Sequence, residues 1–207
     1  LNKLIRKKNI FREQSFKNLK QVLVNLKIKK PNKIISITGT NGKGSTAEIL
    51  SRVLAKNKYE VGLLTSPHLV KFNERIRINN ENIDDSEMLN CLEEVNKLKD
   101  SKELNFYQII AAAAFLFFSK KKLDVWILEV GLGGRLDPAN YFDADISVIT
   151  KIALDHENIL GKGVENIGRE KAGIFRTNQT VIFGEGFIPN SVLKIVEKLN
   201  VDLHKVD

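Results

Sequence analysis

The segment KIISITGTNGKGSTAEILSRVLAK, residues 33–56, joins a β-branched run, a glycine-rich turn and a helix-forming stretch. Gly39, Gly42 and Gly44 allow the backbone to turn tightly, so that successive N–H groups point inward. The helix that follows adds its positive N-terminal end, and Lys43 supplies a mobile cation for the β and γ phosphates of a nucleotide. The segment therefore predicts a strand, a phosphate-binding loop and a helix, in that order.

The loop departs from the usual spacing G-x-x-x-x-G-K-[ST] at two positions. Ile37 stands in place of the first glycine, and Gly44 follows the lysine where a hydroxyl residue normally binds Mg²⁺. Ser45, Thr46 or a residue elsewhere must supply that ligand. We favour Ser66, which follows the second predicted strand, because open α/β sheets bind ligands at the carboxyl ends of their strands. The alternative is a glycine-rich turn that binds nothing.

The remaining chain alternates helices and strands. Residues 123–130, LDVWILEV, have the near-continuous apolar character of a parallel strand covered on both faces. Residues 106–120 are apolar almost all round and predict a buried helix. This alternation predicts an α/β fold with a mostly parallel sheet flanked by helices, in one domain over residues 1–207. The other predicted elements are helices at residues 18–26, 84–99 (N-cap Asp84 or Asp85), 164–174 and 190–199, strands at 60–65, 146–150 and 180–183, and a polar loop at 66–80.

Composition is that of an ordinary globular protein, with 43% hydrophobic and 28% charged residues. The net charge is +8, but the lysines are scattered with few aromatic residues between them, which favours a solvated surface over nucleic-acid binding. The single cysteine, Cys91, excludes an intramolecular disulfide framework and predicts a reducing compartment, by default the cytoplasm. The longest apolar stretch, residues 109–118, is far shorter than the roughly 20 residues of a membrane span, and LNKLIRKKNIFREQ lacks the apolar core of a secretory signal.

Four segments together resemble the dihydrofolate synthase and folylpolyglutamate synthase family, a branch of the Mur ligases. They are TGTNGKGST (38–46), TSPHLVKFNERIRIN (65–79), LEVGLGGRLDPAN (128–140), and LDHENILG with REKAGI (154–161 and 169–174). The first is typical of Mur ligases at large, whereas SPHL and GLGGRLD narrow the resemblance to the folate branch. The resemblance implies a P-loop NTPase-like Mur ligase central domain, which uses ATP and two Mg²⁺ ions. Its reaction joins the carboxylate of dihydropteroate or a folate to the amine of L-glutamate through an acyl phosphate.

The same resemblance implies residue roles, with Lys43, His156 and Lys171 as the catalytic candidates. Ser66 and Glu129 would hold the first Mg²⁺, and Glu129, His156 and Lys171 the second, with Lys171 carbamylated so that it offers oxygen. The strand itself favours this role for Glu129, because a carboxylate that closes an apolar strand needs a metal or another partner; a salt bridge is the alternative. The ATP phosphates would be contacted by Gly39, Thr40, Asn41, Gly42, Lys43, Gly44 and Ser45, and the pterin-bearing acid by Asn105, Phe106, Tyr107, Gln108, Leu136, Asp137 and Pro138.

On the pterin side, Asp137 is expected to accept hydrogen bonds from the N–H groups of the ring. Gln108 stands where many members have glutamate, and Pro138 and Ala139 replace the family's commoner Ala-Thr pair, so the folate species stays open. Arg75 and Arg77 lie in the loop that borders the substrate site, and they either contact substrate or are solvated.

Family members are about twice as long and carry a separate C-terminal domain, which by resemblance contributes the adenine, ribose and glutamate contacts. The chain begins at Leu1 and its single methionine is Met88, so we expect a fragment. We expect this fragment to have little or no ligase turnover of its own. We also expect it to be a monomer. Rival hypotheses are a peptidoglycan-precursor or other Mur-type amide ligase, against which SPHL and GLGGRLD argue, and a non-catalytic nucleotide-binding remnant. A nucleic-acid-binding protein is the least supported hypothesis.

Overall fold

A computed structural model describes residues 13–206, in which helices and strands alternate along the chain. Most of LNKLIRKKNIFREQ and both ends of the predicted 1–207 domain therefore lie outside the described residues. The strands are β1 (Lys33–Thr38), β2 (Val61–Leu64), β3 (Ile76–Ile78), β4 (Glu81–Asn82), β5 (Val125–Glu129), β6 (Ile146–Lys151), β7 (Thr180–Glu185) and β8 (Asp202–Lys205). The α-helices are α1 (Glu13–Asn25), α2 (Lys43–Lys56), α3 (Asp85–Lys97), α4 (Phe106–Ser119), α5 (Glu157–Leu160), α6 (Val164–Ala172) and α7 (Asn190–Lys198), with 3₁₀ turns at Phe72–Arg75, Lys99–Glu103 and Pro138–Asn140.

The eight strands form one sheet in the order β4-β3-β2-β5-β1-β6-β7-β8. The six strands β2, β5, β1, β6, β7 and β8 are parallel to their neighbours in this series. At the other end of the sheet, β3 pairs antiparallel with β2, and β4 pairs antiparallel with β3. The predicted mostly parallel sheet flanked by helices is confirmed. Because β1 lies between β5 and β6, the loop that leaves β1 lies between the carboxyl ends of those strands, where ligand sites of open α/β sheets form.

Each central strand sends alternate side chains into two cores, one on each face of the sheet. In β5, Ile127 packs beneath α2, whereas Trp126 and Leu128 pack against α4 on the opposite face. Helix α4 is buried almost all round, as predicted, and its Phe115 ring stacks on Trp126 with ring centroids 5.9 Å apart. Because both faces are buried, strands such as β5 have no polar face. Polar groups are found instead at the carboxyl ends of the strands.

The prediction of a polar loop at residues 66–80 is partly wrong, because this segment contains a 3₁₀ turn and the strand β3. Leu64 of β2 pairs with Ile76 of β3, and β3 then turns back into β4. Asn79 and Asn80 form the two-residue connection, with φ values of 51° and 71°, which suit the turn type that joins twisted antiparallel strands. Sequence reasoning overlooked this Asn-Asn signal.

Other boundaries differ less. Helix α1 begins at Glu13, five positions before the predicted start, while α5 and β8 were not predicted. The predicted N-cap of α3 is confirmed at Asp84, whose side chain accepts a hydrogen bond from the backbone N–H of Glu87 at 2.8 Å. In the part of the chain that the structure describes, no helix combines the length and apolar character needed to cross a membrane.

Candidate active site

The glycine-rich loop between β1 and α2 is anchored to the end of β6. The backbone N–H of Thr40 donates to Lys151 O at 2.7 Å, and its hydroxyl donates to Ala153 O at 3.2 Å. Gly39 has a φ of +152°, and a Cβ at this position would lie 1.9 Å from the Thr150 hydroxyl oxygen. Thr150 in turn donates to Asn41 O at 2.6 Å. Only glycine allows the loop to approach β6 this closely, and the approach fixes the loop above the sheet edge.

Two lysines converge on one carbonyl of this loop. Lys43, the first residue of α2, donates from Nζ to Gly39 O at 2.9 Å and to Thr40 O at 3.2 Å, and Lys171 of α6 donates to Gly39 O at 2.7 Å. Lys171 is only 4% exposed. Burial, assisted by the positive charge of Lys43, lowers the pKa of Lys171 to about 8. Lys171 is thus a buried amine beside the phosphate loop.

Glu129 closes β5 and is 2% exposed. Its Oε2 accepts a hydrogen bond from the backbone N–H of Ser66 at 2.8 Å and another from the hydroxyl of Thr65. Burial raises the pKa of Glu129, while these two bonds and the charge of Lys43 oppose the rise. A Cβ on Gly44 would lie 3.4 Å from Oε1, so Oε1 faces the start of α2. The glycine that breaks the usual Mg²⁺ pattern therefore leaves room beside a buried carboxylate.

The four residues predicted to bind metal form two pairs. Ser66 and Glu129 line a cavity of about 720 Å³ that runs along the phosphate loop. His156 and Lys171 line a smaller cavity of about 20 Å³ with Lys43, and Glu129 is not among its lining residues. Carboxylate and hydroxyl oxygens in the first pair suit Mg²⁺, whereas the two nitrogens of the second pair do not without modification. Within residues 13–206, no three His, Cys, Asp or Glu side chains are grouped to hold a metal ion.

A third cavity, of about 510 Å³, contains the predicted acid-binding residues. It shares Lys43, Ser66 and Pro67 with the cavity along the phosphate loop, so the two cavities meet at these residues. His156 and Arg75 also line it, whereas Arg77 bonds Glu48 and lines the cavity along the phosphate loop. All seven predicted residues are in its lining: Asn105, Phe106, Tyr107, Gln108, Leu136, Asp137 and Pro138.

Several of these polar groups already have partners within the protein. Asp137 accepts from the backbone N–H groups of Gly131, Leu132 and Ala139 at 3.0, 3.1 and 2.9 Å, and burial raises its pKa to about 7. One of the roughly four acceptor positions of its carboxyl group is left for a ligand. These three hydrogen bonds fix the loop between β5 and the turn Pro138–Asn140.

Asn105 and Gln108 form a reciprocal capping box at the start of α4. The Asn105 side chain accepts from Gln108 N at 2.9 Å, and the Gln108 side chain accepts from Asn105 N at 3.0 Å and from the Ser15 hydroxyl at 2.7 Å. Glutamate at the last position of the box would accept the same bonds. Glutamine in place of the family's glutamate thus preserves the capping box.

A glycine loop joining a buried strand to a helix, with a buried carboxylate on the neighbouring strand, defines a nucleotide-binding domain of the P-loop class. Residues 37–203 match the Mur ligase middle domain, and the chain belongs to that family. The dihydrofolate synthase/folylpolyglutamate synthase of Buchnera aphidicola subsp. Acyrthosiphon pisum is 42% identical over 180 residues, covering 87% of this chain and 44% of the relative.

Solved structures of similar proteins match over a larger share of the chain. E. coli FolC in complex with DHPP and ADP superposes with a TM-score of 0.91 at 35% identity, covering 99% of this chain and 50% of FolC. A bifunctional folylpolyglutamate synthase/dihydrofolate synthase with Mn, AMPPNP and L-glutamate bound gives 0.84 at 38% identity, covering 92% and 47%. The chain thus spans about half the length of the relatives it matches.

Proposed function

We propose that this chain is the nucleotide- and acid-binding part of an ATP-dependent ligase that joins L-glutamate to dihydropteroate, to folates, or to both. The observation that carries this proposal is the meeting of two cavities at Lys43 and Ser66. ATP along the phosphate loop and an acid in the other cavity would bring the γ-phosphate and the carboxylate together. The similar structures that hold DHPP with ADP, and AMPPNP with L-glutamate, support these ligand classes.

The reaction has two bond exchanges. A carboxylate oxygen of the acid attacks the γ-phosphorus, the bond from that phosphorus to the β,γ-bridging oxygen breaks, and ADP leaves with the electron pair. The amine nitrogen of glutamate then attacks the acyl carbon, inorganic phosphate leaves, and the amine releases a proton to solvent. Both exchanges depend on positioning and charge neutralisation more than on covalent help. The backbone N–H groups of residues 39–45 and the ammonium group of Lys43 would serve that purpose.

The side chains around the loop fit divalent cations in part. Mg²⁺, when bound, would neutralise charge on the phosphates, and Ser66 with Glu129 would hold the first ion. A second ion would be held by Glu129, His156 and Lys171, the last as its carbamate. Burial lowers the pKa of Lys171 to about 8 and so raises the fraction of neutral amine, whose nitrogen would bond to the carbon of CO₂ and release a proton. The product carries the oxygen that the unmodified amine lacks.

The proposed enzyme is a cytoplasmic monomer with small-molecule partners and no nucleic acid or membrane partner. The single Cys91 and the scattered lysines support this environment. Residues 1–207 would form one ATP-binding domain of it.

Calorimetric binding of Mg-ATP tests the proposal. Lys43→Ala removes the cation nearest the phosphates and should weaken binding by about tenfold or more, since hydrogen bonds to charged groups contribute about 1.5–3 kcal/mol. Glu129→Ala should weaken the Mg²⁺-dependent part of the affinity. Lys56→Ala, at the exposed end of the same helix, is the matched control and should bind as the parent does. Parent-like binding by both site variants would show that the nucleotide site is wrongly assigned.

A further inference from the structure

Arg75 is fixed beside the point where the two cavities meet. It ends the turn Phe72–Arg75, and its backbone carbonyl accepts a hydrogen bond from the N–H of Thr65 at 3.0 Å. Thr65 and the adjoining Ser66 both bond Glu129, so the same stretch that holds the buried carboxylate also sets the position of Arg75. The half-buried side chain of Arg75 lines the 510 Å³ cavity.

Three side chains hold the guanidinium group in one orientation. Nε of Arg75 donates to Nδ1 of His68 at 2.9 Å. Its guanidinium carbon lies 5.5 Å from the ring centroid of Phe72 and 5.8 Å from that of Phe106, within the range of cation–π attraction. His68 packs edge-on against Phe72, with centroids 5.6 Å apart. These four residues, here called the arginine cluster, restrict the rotamers of Arg75 before any ligand binds.

The arginine cluster leaves the terminal nitrogens of Arg75 without a partner. Among residues 13–206, Arg75 forms no ion pair and bonds only through Nε. Four other arginines in the same part of the chain, Arg52, Arg77, Arg135 and Arg176, each bond a carboxylate. Glu129 attracts Arg75 only from beyond ion-pair distance. A partly desolvated guanidinium that is oriented but lacks an ion-pair partner points to an anionic ligand, because burying an incompletely compensated charge costs free energy.

The other charged groups of this cavity have different tasks. Nζ of Lys43 bonds two carbonyls of the phosphate loop and is assigned to the phosphates. Asp137 is held by three backbone N–H groups and carries the wrong sign for an acid. Among the lysines and arginines of residues 13–206 that line this cavity, Arg75 is therefore the one available to a carboxylate.

We propose that Arg75 binds the reacting carboxylate of the acid substrate through its two terminal nitrogens and presents it to the γ-phosphate. This inference rests on the proposed function. The planar fork of guanidinium matches a carboxylate in a bidentate pair, and its charge offsets the repulsion between the carboxylate and the triphosphate. His68, Phe72 and Phe106 act as positioning residues, since they orient Arg75 without contacting the reacting group themselves.

Binding of dihydropteroate and of its carboxamide to the 207-residue chain, measured by calorimetry with Mg-ADP present, tests the assignment. The carboxamide keeps the shape of the acid but lacks its charge. The parent should prefer the acid, and Arg75→Met should weaken acid binding by about 10- to 100-fold while leaving carboxamide binding nearly unchanged. Arg75→Lys keeps the positive charge but lacks the planar fork, so its affinity for the acid should lie between those of the parent and Arg75→Met. Arg169→Met, which removes an arginine charge from the exposed face of α6, should match the parent.

Two results would overturn the role of Arg75 alone: acid binding by Arg75→Met that equals the parent's, or equal losses for acid and carboxamide, which would indicate only packing within the arginine cluster. Mg-ATP binding and thermal unfolding of each variant show whether the fold is intact. A parent that binds Mg-ATP but neither pterin compound would overturn the substrate of the proposed function, and the role of Arg75 with it. The parent's own acid binding thus separates the two failures.

Discussion

Asp137 combines deep burial with three hydrogen bonds from its own loop. Burial raises its pKa from 3.8 to about 7, so the folded chain binds this proton more tightly than the unfolded chain does. The contribution of the group to stability is therefore fully present below the unfolded pKa and is lost as the pH rises through the folded pKa. The parent should lose stability relative to Asp137→Asn as the pH rises from about 4 to about 7.

Urea unfolding of both proteins across that pH range measures the difference. Asparagine keeps an acceptor for the loop N–H groups but does not titrate, so the difference in free energy of unfolding should depend on pH. Asp143→Asn, at an exposed carboxylate, is the control for loss of an aspartate. A difference between parent and Asp137→Asn that stays constant with pH would contradict the burial-driven shift.

At the residue scale, the sequence predicts which side chains gather but not which partners they have. Ser66 follows β2 and Glu129 ends the neighbouring parallel strand β5, which places both at the carboxyl ends of the strands, and the two residues are in direct contact. The bond from the Thr65 hydroxyl to Glu129 was not foreseen, and neither were the three N–H donors on Asp137. Such contacts depend on backbone geometry over a few ångströms, which residue type and spacing do not contain.

At the scale of elements, helix α4 begins with a capping box that also forms one wall of the 510 Å³ cavity. Asn105→Ala removes the acceptor for the N–H of Gln108 and should lower the free energy of unfolding by about 1 kcal/mol. Asn105→Asp, which keeps an acceptor of the same size, should stay close to the parent. Chemical denaturation measures both. Equal destabilisation by alanine and aspartate would mean that the loss arises elsewhere than in the cap.

Strands and helices with a continuous apolar or periodic pattern were predicted well, whereas the strands at the two edges of the sheet, β3, β4 and β8, were not predicted. The bounds of the strand at 33–38 and of the buried helix at 106–120 were predicted almost to the residue, because successive apolar side chains in each segment indicate the same type of element. The three residues of β3 offer too short a pattern, and their pairing with β2 is a tertiary interaction. The same holds for β8, whose pairing with β7 depends on the whole sheet being present.

At the scale of the whole molecule, the strand order brings together segments that are far apart in sequence. The phosphate loop follows β1, Ser66 follows β2, Glu129 ends β5, and His156 follows β6, all at one edge of the sheet. The alternation of strands and helices predicts this edge, since parallel strands place their carboxyl ends on one side. It does not predict that the edge is divided into two cavities joined at Lys43, which depends on how the loops after β2 and β5 fold.

The same geometry sets a limit on what the 207-residue chain should do alone. The proposed site has residues for phosphates and for an acid, but no group described in residues 13–206 is assigned to hold the amine of glutamate. The relatives that carry the full activity are about twice the matched length. Amide formation requires both reactants to be held in attack geometry, which contributes several kcal/mol of the rate acceleration.

We therefore expect the purified chain to bind Mg-ATP yet to form little or no amide from ATP, glutamate and dihydropteroate. Chromatographic detection of the glutamate adduct checks this, with Lys43→Ala as the blank. A glutamate-dependent product that the blank fails to make would contradict it and would mean that the described half suffices for the whole reaction.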